Sequence, residues 1–217
     1  MTLTLHSYWR SSCSWRVRIA LRWKGLPFAY RAVNLLQGEQ LADAHRARNP
    51  MATVPLLEVE EGGRTLRLAQ SMAILEWLEE RFPVPALLPG DPAGRARVRA
   101  IAEDVNSSIQ PYQNSSTMKW LREREAGLDV AFTSHFVGLT LGRLEEVVRD
   151  GAGRFCHGDV VTLADLFVVP QLYGARRFGV DVARFPTLLR VEANTAALPA
   201  FAESVPDRQP DAVVQPA

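Results

Sequence analysis

Ser11, Ser12 and Cys13 set two hydroxyls and a thiol side by side near the amino terminus. They stand where a strand-like pattern, Leu3 and Leu5 alternating with Thr4 and His6, hands over to a helical one of Val17, Ala20, Leu21 and Lys24. The first N–H groups of such a helix have no intrahelical acceptor, and its aligned peptide dipoles favour negative charge. Hydroxyls at the same point add donors, so the spacing describes a seat for a phosphate, a carboxylate or a thiolate. It equally describes an ordinary helix cap by Ser11 or Ser12. Cys13 reads either as a low-pKa nucleophile in the first turn or as a small packing residue. No second cysteine stands three positions away, so a dithiol redox motif is absent.

Two further segments carry polar backbone or side chains at element boundaries. In Asn49-Pro50-Met51-Ala52-Thr53-Val54-Pro55 a Val-Pro pair precedes a strand pattern. A cis bond is an option there, and it would turn the Val54 N–H and C=O toward an extended, peptide-like ligand. The plain alternative is a strand entrance. Gln70-Ser71 opens another helical pattern, suited either to a carboxylate or to a simple cap.

The elements that must position these residues fall into two stretches of different grammar. Up to residue 82 the order reads βαβ, then αββα. After the strand and helix already named come a strand over Leu26–Val33 and a short helix over Gln40–Arg48. A hairpin of Pro55–Val59 and Thr65–Leu68 turns at Gly62-Gly63, and a helix with Ser71, Leu75, Leu78 and Phe82 on one stripe ends at Pro83. Residues 83–91 open a proline-rich linker. From 92 to 205 strand signals vanish. Arg95–Glu125 reads as a long helix kinked at Pro111, Val137, Leu141, Leu144 and Val148 form a further stripe, and Thr162 to Asp165 spell a capping box. Residues 206–217 read as a loose tail.

Composition narrows the classes. The 217 residues are 47% hydrophobic and 23% charged, as in a folded globular chain, with a net charge of +1 that gives no case for nucleic acid or an anionic membrane as partner. No apolar run approaches the ~20 residues of a membrane span. Two cysteines, Cys13 and Cys156, are too few for a disulfide framework or a four-thiolate zinc site, and a reducing cytoplasm is the expected compartment. His6, His45, His135 and His157 are scattered and form no metal-ligand motif, so no metal is expected.

Four blocks, SSCSWRVRIAL, NPMATVP, LAQSMAILEWLEERFP and GDVVTLADLFVVPQ, occur in an order and spacing that resemble glutathione transferases. The first block is similar to the zeta class, the maleylacetoacetate and maleylpyruvate isomerases, and the likeness covers the chain to about residue 210. The resemblance implies an α/β plus all-α fold: a thioredoxin-like, glutathione-binding domain over 1–82 and an all-helical, substrate-binding domain over 92–205. It also implies a homodimer, with glutathione as cofactor and a maleyl diacid as small-molecule substrate. Ser11 matches the family's thiol-activating serine, with Ser12 and Cys13 beside it. Gln40, Val54, Pro55, Gln70 and Ser71 match tripeptide-binding positions, and Gln110 and Asn114 match positions of the helical domain that reach toward the thiol. Arg10 and one of Arg176 and Arg177 match cations that hold substrate carboxylates. Other uses of the same fold are displacement of halide from α-halo acids, thiol transfer through Cys13, and non-catalytic binding.

The chemistry asked of such a site is modest in size. A free thiol of pKa near 8.5 is only about 3% ionised at pH 7. Lowering that pKa by ~2 units takes about 2.7 kcal/mol, within reach of one hydroxyl hydrogen bond and a helix amino terminus.

Overall fold

The computed structural model describes residues 1–213. The chain divides into two compact units, Met1–Pro85 joined by the chain from Leu198 onward, and Ala86–Ala197.

The first unit is built on a sheet of β1 (Thr2–Ser7), β2 (Ala29–Ala32), β3 (Leu56–Glu61) and β4 (Arg64–Ala69) in the order β2-β1-β3-β4. β1 pairs parallel with β2, while β1–β3 and β3–β4 are antiparallel. Alternation in β1 sends Leu3 and Leu5 inward, where they meet Val59 and Leu57 across the ladder. Gly62 and Gly63, both at positive φ, close the β3–β4 hairpin as two-residue turns of this kind require. The strand expected over Leu26–Val33 is only four residues long. Leu26 is drawn into the end of the preceding helix, its N–H bonded to Leu21, and Pro27 has no N–H to give a ladder.

Three helices alternate with or follow these strands: α1 (Ser12–Trp23) after β1, the single turn α2 (Asp43–Arg46) before β3, and α3 (Ser71–Arg81) after β4. α1 is buried without a break from Ser14 to Leu21, which includes the charged Arg16 and Arg18. At its far end buried Lys24 donates to Glu79 (2.8 Å), the Phe82 carbonyl (2.6 Å) and the Pro85 carbonyl (3.0 Å), anchoring the exit of α3.

Strand register creates a common rim. Ser7 at the end of β1 is opposite Ala32 at the end of β2; Leu56 at the start of β3 is opposite both His6 and Ala69 at the end of β4. The segments 8–11, 33–40, 53–55 and 70–71 therefore all leave one end of the sheet, the end where α/β folds hold ligands.

The second unit is helical: α4 (Pro92–Ser108), α5 (Ser115–Arg122), α6 (Leu128–Arg149), α7 (Leu163–Arg177) and α8 (Pro186–Ala196). The helix expected over Arg95–Glu125 is not kinked but broken. α4 stops at Ser108, Gln110–Gln113 tighten into a 3-10 turn, and α5 starts afresh after extended Asn114. Pro111 lacks an N–H and crowds the preceding turn, which a continuous helix does not tolerate. α7 runs through the centre of this unit, with Leu163–Leu172 buried throughout.

The carboxy-terminal segment returns to the first unit as α9 (Pro199–Ala202) and the short 3-10 turn Pro206–Arg208. The expectation of a loose tail from 206 is corrected by its contacts. Buried Gln209 donates to the Glu203 and Val205 carbonyls, and Asp211 accepts from the Trp9 N–H and the Tyr30 hydroxyl. Residues 214–217 of that expected tail lie outside the described residues.

Candidate active site

Ser11 precedes α1 in extended geometry (φ −72°, ψ 116°). Its Oγ accepts the Ser14 N–H at 3.2 Å and its carbonyl accepts the Trp15 N–H at 2.9 Å. Both readings of the spacing are thus compatible: Ser11 caps the helix through a lone pair, and its hydroxyl hydrogen meets no acceptor among the described residues. Ser12 and Cys13 form the first turn, half-buried, with Cys13 a free thiol. No acidic side chain stands in that turn to neutralise the helix start. Arg10, half-buried next door, lies with its guanidinium carbon 5.2 Å from the centre of the Trp9 ring.

The Val54–Pro55 bond is cis. The loop before it is held from within: buried Asn49 donates from Nδ2 to the Thr53 carbonyl (2.9 Å) and accepts the Met51 N–H (3.2 Å), and the His45 ring lies 3.0 Å from the same carbonyl. Half-buried Val54 itself forms no hydrogen bond among the described residues, which leaves a backbone donor and acceptor for a ligand. Gln40, in the 3-10 turn Glu39–Leu41, carries a buried Oε1 with no hydrogen-bond partner among the described residues. A buried amide oxygen left unsatisfied is costly and marks a place for a donor from outside.

At the second helix start, Gln70 takes positive φ (70°) and no side chain caps α3. Buried Ser71 accepts from the Arg16 Nη1 at 3.1 Å. This bond turns the Ser71 hydroxyl hydrogen away from Arg16, and it brings a fully buried cation from α1 to the start of α3. Arg16 is a functional candidate that the motifs do not mark; its signal is that it and Arg18 are the two charges inside the otherwise apolar run Trp15–Leu21.

The remaining candidates belong to the helical unit. Gln110 and Asn114 are brought together, with the Gln110 Nε2 donating to the Asn114 Oδ1 at 3.1 Å. A chain of amides stands behind them: Gln113 donates to Gln110 (3.3 Å) and to buried Gln171 (2.8 Å) on α7. Arg176 and Arg177 are both exposed at the end of α7. They differ in company. Arg176 is held bidentately by Glu192 at 2.7 and 2.5 Å, a hydrogen bond that raises its pKa, whereas the Arg177 guanidinium carbon lies 5.7 Å from the Phe178 ring centre.

With this geometry in view, the likeness to known proteins is specific. Residues 10–81 match the glutathione S-transferase N-terminal domain family. A probable maleylacetoacetate isomerase of Caenorhabditis elegans is 43% identical over 95% of this chain and 94% of its own length. A maleylpyruvate isomerase of a Ralstonia species is 42% identical over 96% and 99%. The crystal structure of maleylacetoacetate isomerase from Anaeromyxobacter dehalogenans, with glutathione bound in its active site, superposes with a TM-score of 0.92 at 61% identity, covering 98% of both chains. The chain belongs to the zeta class of the glutathione transferase family, among the maleylacetoacetate and maleylpyruvate isomerases.

The donor set suits glutathione. The orphaned Gln40 Oε1, the unsatisfied Val54 peptide groups and the Ser71 hydroxyl are what an extended, zwitterionic tripeptide would complete. Among the described residues no group of three or more His, Cys, Asp and Glu side chains could hold a metal ion, and no helix is long and apolar enough to cross a membrane.

Proposed function

We propose that this protein is a glutathione-dependent cis–trans isomerase of a maleyl diacid, maleylacetoacetate or maleylpyruvate, acting as a homodimer in the cytoplasm. The observation that carries the reading is the uncompensated start of α1, where Ser11 keeps a hydroxyl hydrogen to donate. Glutathione, when bound, supplies a sulfur nucleophile that adds reversibly to a double bond conjugated with a carbonyl, so that the bond turns and re-forms trans.

The chain's own groups do the rest. Ser11 donates its hydrogen to the sulfur while the helix start favours the charged form, with Ser12 and Cys13 completing the turn. Val54 pairs by backbone with the peptide, ahead of Pro55, and Gln40, Gln70 and Ser71 hold its ends. Gln110 and Asn114, joined by their own hydrogen bond, contribute amide groups to the stabilisation of the thiol. Arg10 and Arg177 take the substrate carboxylates, because guanidinium forks match carboxylates and Arg176 is already engaged by Glu192. Residues 1–82 act as the glutathione domain and the helical unit as the substrate domain.

Turnover of maleylacetone with a catalytic amount of glutathione tests the reading. Formation of the trans product without loss of thiol is expected. Stoichiometric thiol consumption, or release of halide from α-halo acids in preference to isomerisation, would overturn it. A paired assay of the two diacids then names the substrate.

A further inference from the structure

The Tyr8–Ser11 loop delivers both Ser11 and Arg10, yet little within the loop itself stiffens it. Within it the Ser11 N–H bonds to the Tyr8 carbonyl at 3.0 Å and Arg10 lies against the Trp9 ring, while Arg18 and Asp211 reach it from outside. From α1, fully buried Arg18 donates to the Tyr8 carbonyl (Nη1, 3.4 Å), to the Trp9 carbonyl (Nη2, 2.9 Å) and to the Ser7 hydroxyl (3.2 Å). The same guanidinium donates to the Ser204 carbonyl through Nε (3.2 Å) and Nη2 (3.1 Å). From the end of the chain, the Asp211 carboxylate accepts the Trp9 N–H at Oδ2 (3.0 Å) and the Tyr30 hydroxyl at Oδ1 (2.6 Å).

The segment that supplies these groups is itself braced. Ser204 donates to the Ala200 carbonyl at 2.6 Å and accepts from Arg22 at 3.2 Å, while Gln209 spans the Glu203 and Val205 carbonyls. We propose that residues 204–211 are a positioning strap for the catalytic loop, with Asp211 and Arg18 as positioning residues that fix Ser11 and, through Trp9, Arg10. The charges fit this role. Burial lowers the Arg18 guanidinium to about 10, and Tyr30 and Asp211 oppose that loss. A buried cation bonded to four groups of a loop and a strap is a rigid joint, because releasing any of them leaves a polar group unpaired in the interior.

The inference rests on the reading that Ser11 activates a glutathione thiol, and its test separates the two. Asp211→Ala removes the acceptor of Trp9 and Tyr30 without touching a group proposed to bind glutathione. Its kcat is expected to fall about tenfold, with the bound thiol ionising about one pH unit higher and the KM for glutathione changing less than about threefold. Asp211→Asn keeps an oxygen for the Trp9 N–H and an amide for the Tyr30 oxygen, so it restores most of the activity. Tyr30→Phe, the milder second variant, falls between them.

Amide hydrogen exchange, which does not depend on turnover, must rise in residues 8–12 of the Asp211→Ala protein and stay unchanged in residues 71–75. Should exchange in 8–12 and the ionisation of the bound thiol both match wild type, the strap has no positioning role. The same conclusion follows if only the melting temperature falls. If the wild-type bound thiol ionises as in free solution, the Ser11 reading fails, and exchange in residues 8–12 still decides the strap.

Discussion

Two helix starts in this protein solve the same electrostatic problem in opposite ways. α7 opens with Thr162, whose N–H and hydroxyl donate to the Asp165 Oδ2 at 2.7 and 3.1 Å, while the Asp165 Oδ1 accepts the Cys156 N–H at 2.8 Å. The carboxylate is fully buried and fills the place an anion would take. α1 has no acidic residue in its first turn, and its one capping side chain, Ser11, keeps a hydrogen to give. A helix start that carries its own carboxylate is closed and serves the fold. One that withholds it is open and serves a ligand. α3 is a second open start, without any side-chain cap and with a buried arginine behind its serine.

The contrast is sharpest under substitution. Ser11→Ala should lower kcat/KM by about 100-fold and raise the ionisation pH of the bound thiol by one to two units, at a stability cost of only about 1 kcal/mol. Steady-state turnover, ultraviolet titration of the bound thiol and urea unfolding read the three quantities. Asp165→Ala should invert this pattern. Urea unfolding should show a loss of about 3 kcal/mol, because buried donors are left unpaired, while the thiol of the surviving folded protein titrates as in wild type. If Asp165→Ala shifts that titration, the division into closed and open starts breaks down.

Ser71→Ala belongs to the open class and should raise the KM for glutathione about tenfold with kcat nearly unchanged, since it acts in binding before chemistry. The smallest contrast separates neighbours on α7. Arg177→Ala should raise the KM for the diacid about tenfold, Arg176→Ala less than about threefold, because the Glu192 fork already occupies Arg176.

Much of this contrast was legible in the chain before any coordinates. Period-2 and helical repeats, Pro83 and the Gly62-Gly63 turn mark the first unit's elements, because each signal is local. The Thr162–Asp165 box and the open start at Ser11 were readable for the same reason. What escaped is long-range. Arg16 meets Ser71 across 55 positions, Arg18 meets Ser204 across 186, and Trp9 meets Asp211 across 202. No periodicity encodes such pairs. The tail reads as loose because three prolines and scattered polar residues look like linker when their partners lie at the other end of the chain. The helix over Arg95–Glu125 differs for another reason: Pro111 marks the place of a disturbance, but a kink and a full break carry the same sequence signal, and only the backbone geometry at Ile109 and Asn114 tells them apart.

The return of the last segment into the first unit has a consequence for biosynthesis. A ribosome adding roughly 5–20 residues per second makes the sheet and α1, then spends about 5–20 s on the intervening helices before Ser204 and Asp211 exist. During that interval the guanidinium of Arg18 has no Ser204 carbonyl to hold and the nitrogen of Trp9 has no carboxylate. The loop that carries Ser11 therefore gains its distant ties only once residues 204–211 have been made, and a chain cut before Ser204 should show the faster exchange in residues 8–12 expected of Asp211→Ala.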